Sequence, residues 1–325
     1  MEEISFVSNY DGLKLSAAEC AVRNPRAVVQ IVHGMSEHKE RYYPFMEFLA
    51  DHGIASVADD HRGHGASAPC REDLGYFGPG GAEALLSDIH QITAALRGAY
   101  PGKPLFLLGH SMGALTVRSY IQRWGREIDG LIVSGNPGWN PSAPMGLRIA
   151  RAAQRRRGSH ARSRFLTLGL LVPFQVKYGK PFTRNAWVCS DAQVVAEYNA
   201  DPLCGFEFYA NGYEALMQLM IWANTPATTA PHREMPVAFF SGAKDPCMGG
   251  KRRLKAAAEL LRRAGYTDVS VKTYPGMAHE ILNEAGREEV YDDMLAKMEE
   301  WLDATVASSN YAFITNITLA LQKGF

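Results

Sequence analysis

Residues 105–113, Leu-Phe-Leu-Leu-Gly-His-Ser-Met-Gly, constrain this chain more than any other stretch. A short apolar run reads as a strand and ends in Gly109-His110-Ser111-Met112-Gly113, a G-x-S-x-G pattern. Such a pattern places a serine at the tip of a tight strand-to-helix turn, and glycines two before and two after it let the chain fold back closely. A serine that merely caps a helix in a glycine-rich turn would look the same locally. A nucleophile needs more: a base, an acid and an oxyanion site must come from elsewhere in the chain.

The surrounding sequence alternates strands and helices. Residues 4–7 and 13–20 read as a hairpin around Asp11-Gly12. The β-branched run 27–32 reads as an interior strand that exits at His33-Gly34-Met35, where glycine permits close approach of backbone to a ligand. A helix over Tyr42–Leu49 and a strand over 54–58 follow. The segment Asp59 to Ser67 is too polar and glycine-rich for helix or strand. Its histidines lack acidic or cysteine partners at metal-ligand spacing, so Arg62 and His64 read as turn residues bonded to neighbouring loops and no metal is expected. Leu85, Ile89, Ile92 and Leu96 mark a helix over 82–97, and residues 128–134 form the next strand. This rhythm with short turns predicts an α/β fold with a mostly parallel central sheet and helices on both faces.

The rhythm breaks at 136. From there to 233 no buried parallel strand is evident, and the segment reads as a helical cap inserted over the sheet's C-terminal edge. Its helix over 145–157 carries Arg151, Arg155, Arg156 and Arg157 beside Met145, Leu147 and Ile149. That face is either solvated or a contact for an anionic membrane surface. The apolar stretch 165–176 either packs on the core or lines a pocket mouth, and the Met- and aromatic-rich segment 206–222 suits both a core and adaptable apolar substrates. The expected organisation is therefore a first core part at 1–135, a cap at 136–233, a second core part at 234–305 and a tail at 306–325. In the second part, the strand Val237–Ser241 runs into Ala243-Lys244-Asp245, a helix spans 254–263, and an edge strand over 269–274 leads to Pro275-Gly276-Met277-Ala278-His279. A helix over 287–303 closes the domain. The tail has strand-like content and no assigned role.

Ser111, Asp245 and His279 thus stand at strand exits on one edge of the sheet, in the chain order nucleophile, acid, base known from one triad architecture. A neutral imidazole must take the serine proton, and a carboxylate must fix its tautomer. His279 is the expected base. Asp268 opens a strand at the opposite end, which leaves Asp245 as the acid. The oxyanion donors are expected to be the backbone N–H of Met112, just after the serine, and of Met35, at the first strand exit. His33 and His110 flank glycines and read as local. Hydroxyls of a substrate would meet polar groups near Glu37 or Asn136.

With these residues in place, the chain resembles the α/β-hydrolase superfamily and, within it, the monoacylglycerol lipase/lysophospholipase group of the serine aminopeptidase S33 (hydrolase_4) type. The resemblance rests on His33-Gly34, Glu37-His38, Arg41-Tyr42, Asp60-His61-Arg62-Gly63-His64-Gly65 with Ser67, the Gly109–Gly113 pattern, Asp245 and His279, and it covers roughly residues 5–304. It implies hydrolysis of glycerol or lysophospholipid carboxylic esters without a cofactor. It also implies that Gly34, Glu37, His38, Arg41 and His110 support the site. A small lipid ester is the expected partner. Dehalogenase and epoxide-hydrolase chemistry would need a carboxylate at position 111, so both are excluded. General carboxylesterases and other acyl hydrolases or acyltransferases use the same triad and stay open.

Composition narrows the setting. Lys plus Arg and Asp plus Glu each number 34, so no net charge steers the protein toward nucleic acid. Five scattered cysteines, an acidic N-terminus without an apolar leader, and no apolar run of membrane-spanning length lead to the expectation of a cytoplasmic protein.

Overall fold

The computed structural model describes residues 1–179, 183–225 and 230–322, with side chains left aside from 305 onward. Eight strands form one sheet: β1 (Glu2–Val7), β2 (Lys14–Cys20), β3 (Ala27–Val32), β4 (Ile54–Asp59), β5 (Leu105–His110), β6 (Gly130–Ser134), β7 (Val237–Gly242) and β8 (Val269–Tyr274). Their spatial order is β1-β2-β4-β3-β5-β6-β7-β8. β2 runs antiparallel to β1 and β4, and every pair from β4 through β8 is parallel. Among the described residues, β3, β4, β5, β6 and β7 are buried along their whole length. That is why they read as continuous apolar runs instead of alternating ones.

Helices cover both faces. Val28, Val32, Leu105 and Leu107 point into a core built with α2 (Gly81–Ala99), α3 (Met112–Trp124) and α8 (Lys251–Ala264). Val29, Ile31, Phe106 and Leu108 point the other way, toward α1 (Tyr43–Asp51) and α9 (Arg287–Gln322), where Phe45, Tyr291, Met294 and Trp301 pack. The alternation follows directly from the two-residue repeat of a strand.

Between β6 and β7 the chain makes a helical excursion that, among the described residues, holds four helices: α4 (Ala143–Arg157), α5 (Arg164–Tyr178), α6 (Ala192–Ala200) and α7 (Ala210–Asn224). Ser163 caps α5 by accepting from the Leu166 N–H at 3.4 Å, and Asp191 caps α6 by accepting from Gln193 at 2.8 Å. α7 packs on α4 and on α2 and α3, with Tyr213 and Leu219 fully buried. Among the described residues no helix is long and apolar enough to cross a membrane.

One expectation is corrected. The strand-like content of the tail does not form a strand, because α9 runs on through it to Gln322. No glycine or proline falls between Trp301 and Gln322, so nothing stops the helix there. The side chains of this tail, and with them its role, lie outside the described residues.

Candidate active site

The turn after β5 is built by two glycines. A Cβ on Gly113 would lie 2.0 Å from the carbonyl oxygen of Val32, and one on Gly109 would lie 2.4 Å from the carbonyl oxygen of Gly113. Neither position admits a larger residue, so α3 packs directly against β3 and β5. The chain reverses at Ser111 itself, with φ 54° and ψ −115°. A non-glycine residue rarely adopts this region, and the strain is held by the packing around it.

This turn brings Ser111 to the two other strand-exit residues. Its Oγ lies 2.7 Å from Nε2 of His279, and Nδ1 of His279 lies 2.9 Å from Oδ2 of Asp245. Asp245 Oδ1 accepts the Cys247 N–H at 2.7 Å, which fixes the carboxylate. Ser111 is half-buried, while Asp245 and His279 are buried. Burial opposes protonation of His279, but the Asp245 carboxylate outweighs it and holds the imidazole well above its ordinary range. Asp268 stands at the start of β8, where its carbonyl accepts the Val237 N–H, far from this edge.

His33 and Gly34 follow β3. A Cβ on Gly34 would meet Cβ of Ser111 at 3.0 Å and the His110 ring at 3.2 Å, so the absence of a side chain lets the two loops touch. His33 Nε2 accepts the His61 N–H at 3.0 Å, which leaves its proton on Nδ1, donated to the Gly34 carbonyl at 2.8 Å. Burial keeps His33 neutral, as this pattern requires. The carbonyl of a trans peptide and its N–H point in opposite directions. Holding the Gly34 oxygen toward His33 therefore turns the Met35 N–H away from it. Met112 opens α3, where helix N–H groups lack partners within the helix.

The remaining support residues lie beneath this loop. Glu37 accepts the Gly34 N–H at 2.5 Å and the Tyr42 hydroxyl at 3.0 Å. Arg41 sits between two acids, 3.5 Å from Glu37 and paired with Glu280, the neighbour of His279. Burial, reinforced by the Glu280 charge, pushes the Glu37 carboxyl up to about 7 against the pull of Arg41. His38 pairs with Asp201 at 2.8 Å, at the end of α6. His110 is buried and held neutral by its burial, its ring 4.8 Å from that of His279. Glu37 and Asn136 are both buried: Glu37 accepts the Gly34 N–H, and Asn136 accepts from Arg118 at 3.0 Å.

The polar turn after β4 is structural in its bonding. His61 donates from Nδ1 to Asp59 at 2.8 Å and from Nε2 to the His33 carbonyl at 3.1 Å. Two donated bonds require the imidazolium; burial opposes it, and Asp59 overrides that. His64 donates to the Arg62 carbonyl and accepts the Ser36 N–H, with burial lowering it to about 3. Arg62 is fully buried and paired with Asp88 at 2.8 Å and Asp11 at 2.9 Å. The ring nitrogens of both histidines are thus spent on the loop.

The excursion reaches the site from above. Trp187 lies 5.3 Å from the His279 ring and 5.2 Å from Phe174 of α5. The Gly205 N–H and the Tyr198 hydroxyl both donate to the Ser36 carbonyl, at 2.8 and 2.9 Å, and the Glu280 N–H donates to Val188. An apolar cleft of about 290 Å³ opens between α4, α5 and α7, lined by Met145, Ile149, Phe165, Leu166, Leu170 and Met217. Beyond the cleft lining, α5 also exposes Leu168, Val172 and Val176, the last at 66 %. Both alternatives for the 165–176 stretch are therefore partly realised.

Sequence reasoning missed Ser36, Glu280, Trp187 and Cys247. Ser36 takes a positive φ of 56° and anchors the excursion, and Glu280 follows His279 directly. Adjacency to the expected residues was the available signal for Glu280 and Cys247. Trp187 reaches the site only through the fold of the excursion and carries no local signal.

Comparison with known proteins gives a family match and relatives along most of the chain. The family model "Serine aminopeptidase, S33" (Hydrolase_4) matches residues 23–286. A monoacylglycerol lipase of Mycolicibacterium smegmatis is 29 % identical over 283 residues, covering 83 % of this chain and 87 % of that one. A crystal structure of a highly thermostable carboxyl esterase from Bacillus coagulans in complex with glycerol superposes with a TM-score of 0.84 at 27 % identity, covering 93 % of this chain and 98 % of that one. A structure described as a lipase in open form gives 0.83 at 28 % identity, with the same coverage of 93 % and 98 %.

Proposed function

Since the chain belongs to the Hydrolase_4 (serine aminopeptidase, S33) family of α/β-hydrolases, we propose that it is a serine carboxylic-ester hydrolase acting on monoacylglycerol- or lysophospholipid-like esters. The observation that carries this reading is the hydrogen-bonded line from Ser111 through His279 to Asp245. Ser111 is the nucleophile. His279 Nε2 takes its proton as Oγ attacks the ester carbonyl, and Asp245 stabilises the imidazolium that forms. The Met35 and Met112 N–H groups receive the oxyanion, and each such donor is worth roughly 100- to 1,000-fold in rate. His279 then protonates the departing alcohol. Water activated by the same nitrogen releases the acid and restores Ser111.

Gly34, Glu37, His38, Arg41 and His110 act by holding backbone and imidazole in place. The segment 136–233 acts as the cap that selects substrate. Its apolar cleft suits an acyl chain, and the exposed Arg155, Arg156 and Arg157 of α4 together with the exposed apolar side chains of α5 suit contact with an anionic lipid surface. The likeness to a carboxyl esterase supports a second reading, a general short-chain carboxylesterase. A panel of monoacylglycerols, lysophospholipids and short aryl esters compared by kcat/KM separates the two. Preference for long-chain monoacylglycerols supports the first reading and preference for short aryl esters the second. Wild-type turnover by Ser111→Ala would overturn both.

A further inference from the structure

We propose that Asp245, Cys247 and His279 together form an inhibitory site for a soft divalent cation of the zinc type. One carboxylate oxygen, the thiol sulfur and one imidazole nitrogen all lie within 4.8 Å of one another, on three buried side chains. Cys247 serves the hydrolytic site only through its backbone N–H, which Cys247→Ala keeps, and its thiol, unused there, faces the same imidazole as Asp245. Zinc takes three protein ligands of this mixed N, O and S kind with a water in the fourth position, at about 2.0–2.3 Å from each donor. Nδ1 of His279 and Oδ2 of Asp245 are already 2.9 Å apart, close to the spacing of two neighbouring zinc ligands. Asp245 Oδ1 is held by the Cys247 N–H, the kind of outer contact that orients a ligating carboxylate. The nearby cation, Lys177, directs its Nζ to the Pro246 carbonyl at 3.4 Å. The thiol favours zinc-like ions over magnesium and calcium.

The consequence for activity rests on the hydrolase reading above. When the cation binds, the Cys247 thiol proton leaves to solvent and the imidazole proton moves from Nδ1 to Nε2. No electron is transferred. Nε2 then carries a hydrogen toward Ser111 and cannot accept the serine proton. The cation thus disables the base while leaving the serine in place. A second group, His38, Asp201 and Cys204, also has its donor atoms within 4.8 Å of one another. There the Arg41 guanidinium acts on Cys204 and opposes a cation, which makes this group the internal control.

The test uses the full chain freed of metal. Cobalt is titrated while the thiolate-to-cobalt charge-transfer band is read, and zinc is titrated against turnover of a p-nitrophenyl ester. The expected result is a saturable band displaced by zinc, inhibition reversed by a chelator, and no effect of magnesium or calcium. Cys247→Ala should abolish the band and weaken zinc inhibition by about 100-fold or more, since even an outer partner of a ligand costs about 10- to 100-fold. Its basal turnover should be unchanged, and Cys204→Ala should behave as wild type in all respects. A band or inhibition that survives Cys247→Ala, or is lost in Cys204→Ala, overturns the proposal. Should Cys247→Ala fail to fold, zinc-edge X-ray absorption on the wild type decides. One sulfur at about 2.3 Å supports the site, and a shell of nitrogen and oxygen alone overturns it. The cobalt band is read without turnover, so an absent esterase activity and an absent metal site give different results.

Discussion

Gly113 sits directly over the carbonyl of Val32, so close that a Cβ would come within 2.0 Å of that oxygen. The obstacle is backbone, which cannot swing aside as a side chain can. Gly113→Ala should force α3 off β3 and cost about 1–3 kcal/mol, the range of core overpacking with backbone shifts. Gly98, in the last turn of α2, has nothing within 4 Å of its would-be Cβ. Gly98→Ala should stabilise the protein by about 0.5 kcal/mol through helix propensity. Urea midpoints of the two variants should therefore move in opposite directions, and matching shifts would contradict this account of the turn.

Asp245→Asn should preserve the fold while reducing kcat by about 10,000-fold, because an amide no longer fixes the Nδ1–H tautomer or stabilises the imidazolium. KM for a p-nitrophenyl ester should change little. Steady-state kinetics with a circular-dichroism check of folding reads both quantities, and a loss of only a few fold would remove Asp245 from its role.

Glu37 predicts a pH dependence of stability. Its carboxyl is raised from 4.5 to about 7 by burial and by the Glu280 charge. Between those values the unfolded chain has lost the proton that the native state keeps. Stability therefore falls as pH rises across that window, by at most about 3 kcal/mol, and stays lower above it. Glu37→Gln keeps an acceptor for the Gly34 N–H and removes the titration. Denaturation midpoints measured at about pH 4.5 and pH 8 should converge in this variant relative to the wild type. An unchanged difference would place the pH dependence on other groups.

The exposed arginines of α4 predict binding to anionic vesicles. Each arginine near such a surface contributes about 1 kcal/mol, so replacing Arg155, Arg156 and Arg157 by Gln should weaken binding to phosphatidylglycerol-containing vesicles by roughly 100-fold. Co-sedimentation against neutral vesicles is the control. Equal binding of the variant and the wild type would assign these arginines to a solvated face.

The strands were legible because burial on both faces writes them as uninterrupted apolar runs, as in Ala27–Val32 and Val237–Gly242. Ser111 and Asp245 could be singled out because each follows such a run, and His279 because it follows the edge strand Val269–Tyr274 and a Pro-Gly turn, although nothing local says that they meet. The burial of Glu37 was not legible, because a charged residue beside a strand exit looks exposed, whereas Tyr42, Arg41 and the Gly34 N–H enclose it in the fold. The tail was misread for a similar reason. Its β-branched residues suggest a strand, but the helix that precedes it has no stop signal. Trp187 lies outside every run with a period, so only the folded excursion reveals it.

The excursion departs and returns at neighbouring strands: Leu131 of β6 pairs with Val237 of β7, and its N–H donates to the Pro236 carbonyl at 3.0 Å. The sheet therefore registers only the two ends of the detour, and closing a longer or shorter one changes the loop entropy by only about 0.6 kcal/mol per doubling of length. This makes the segment a graftable module. A foreign cap spliced between Ser134 and Pro236 would leave the strand register untouched, and the contacts it must supply anew are those with Ser36, His38 and Glu280.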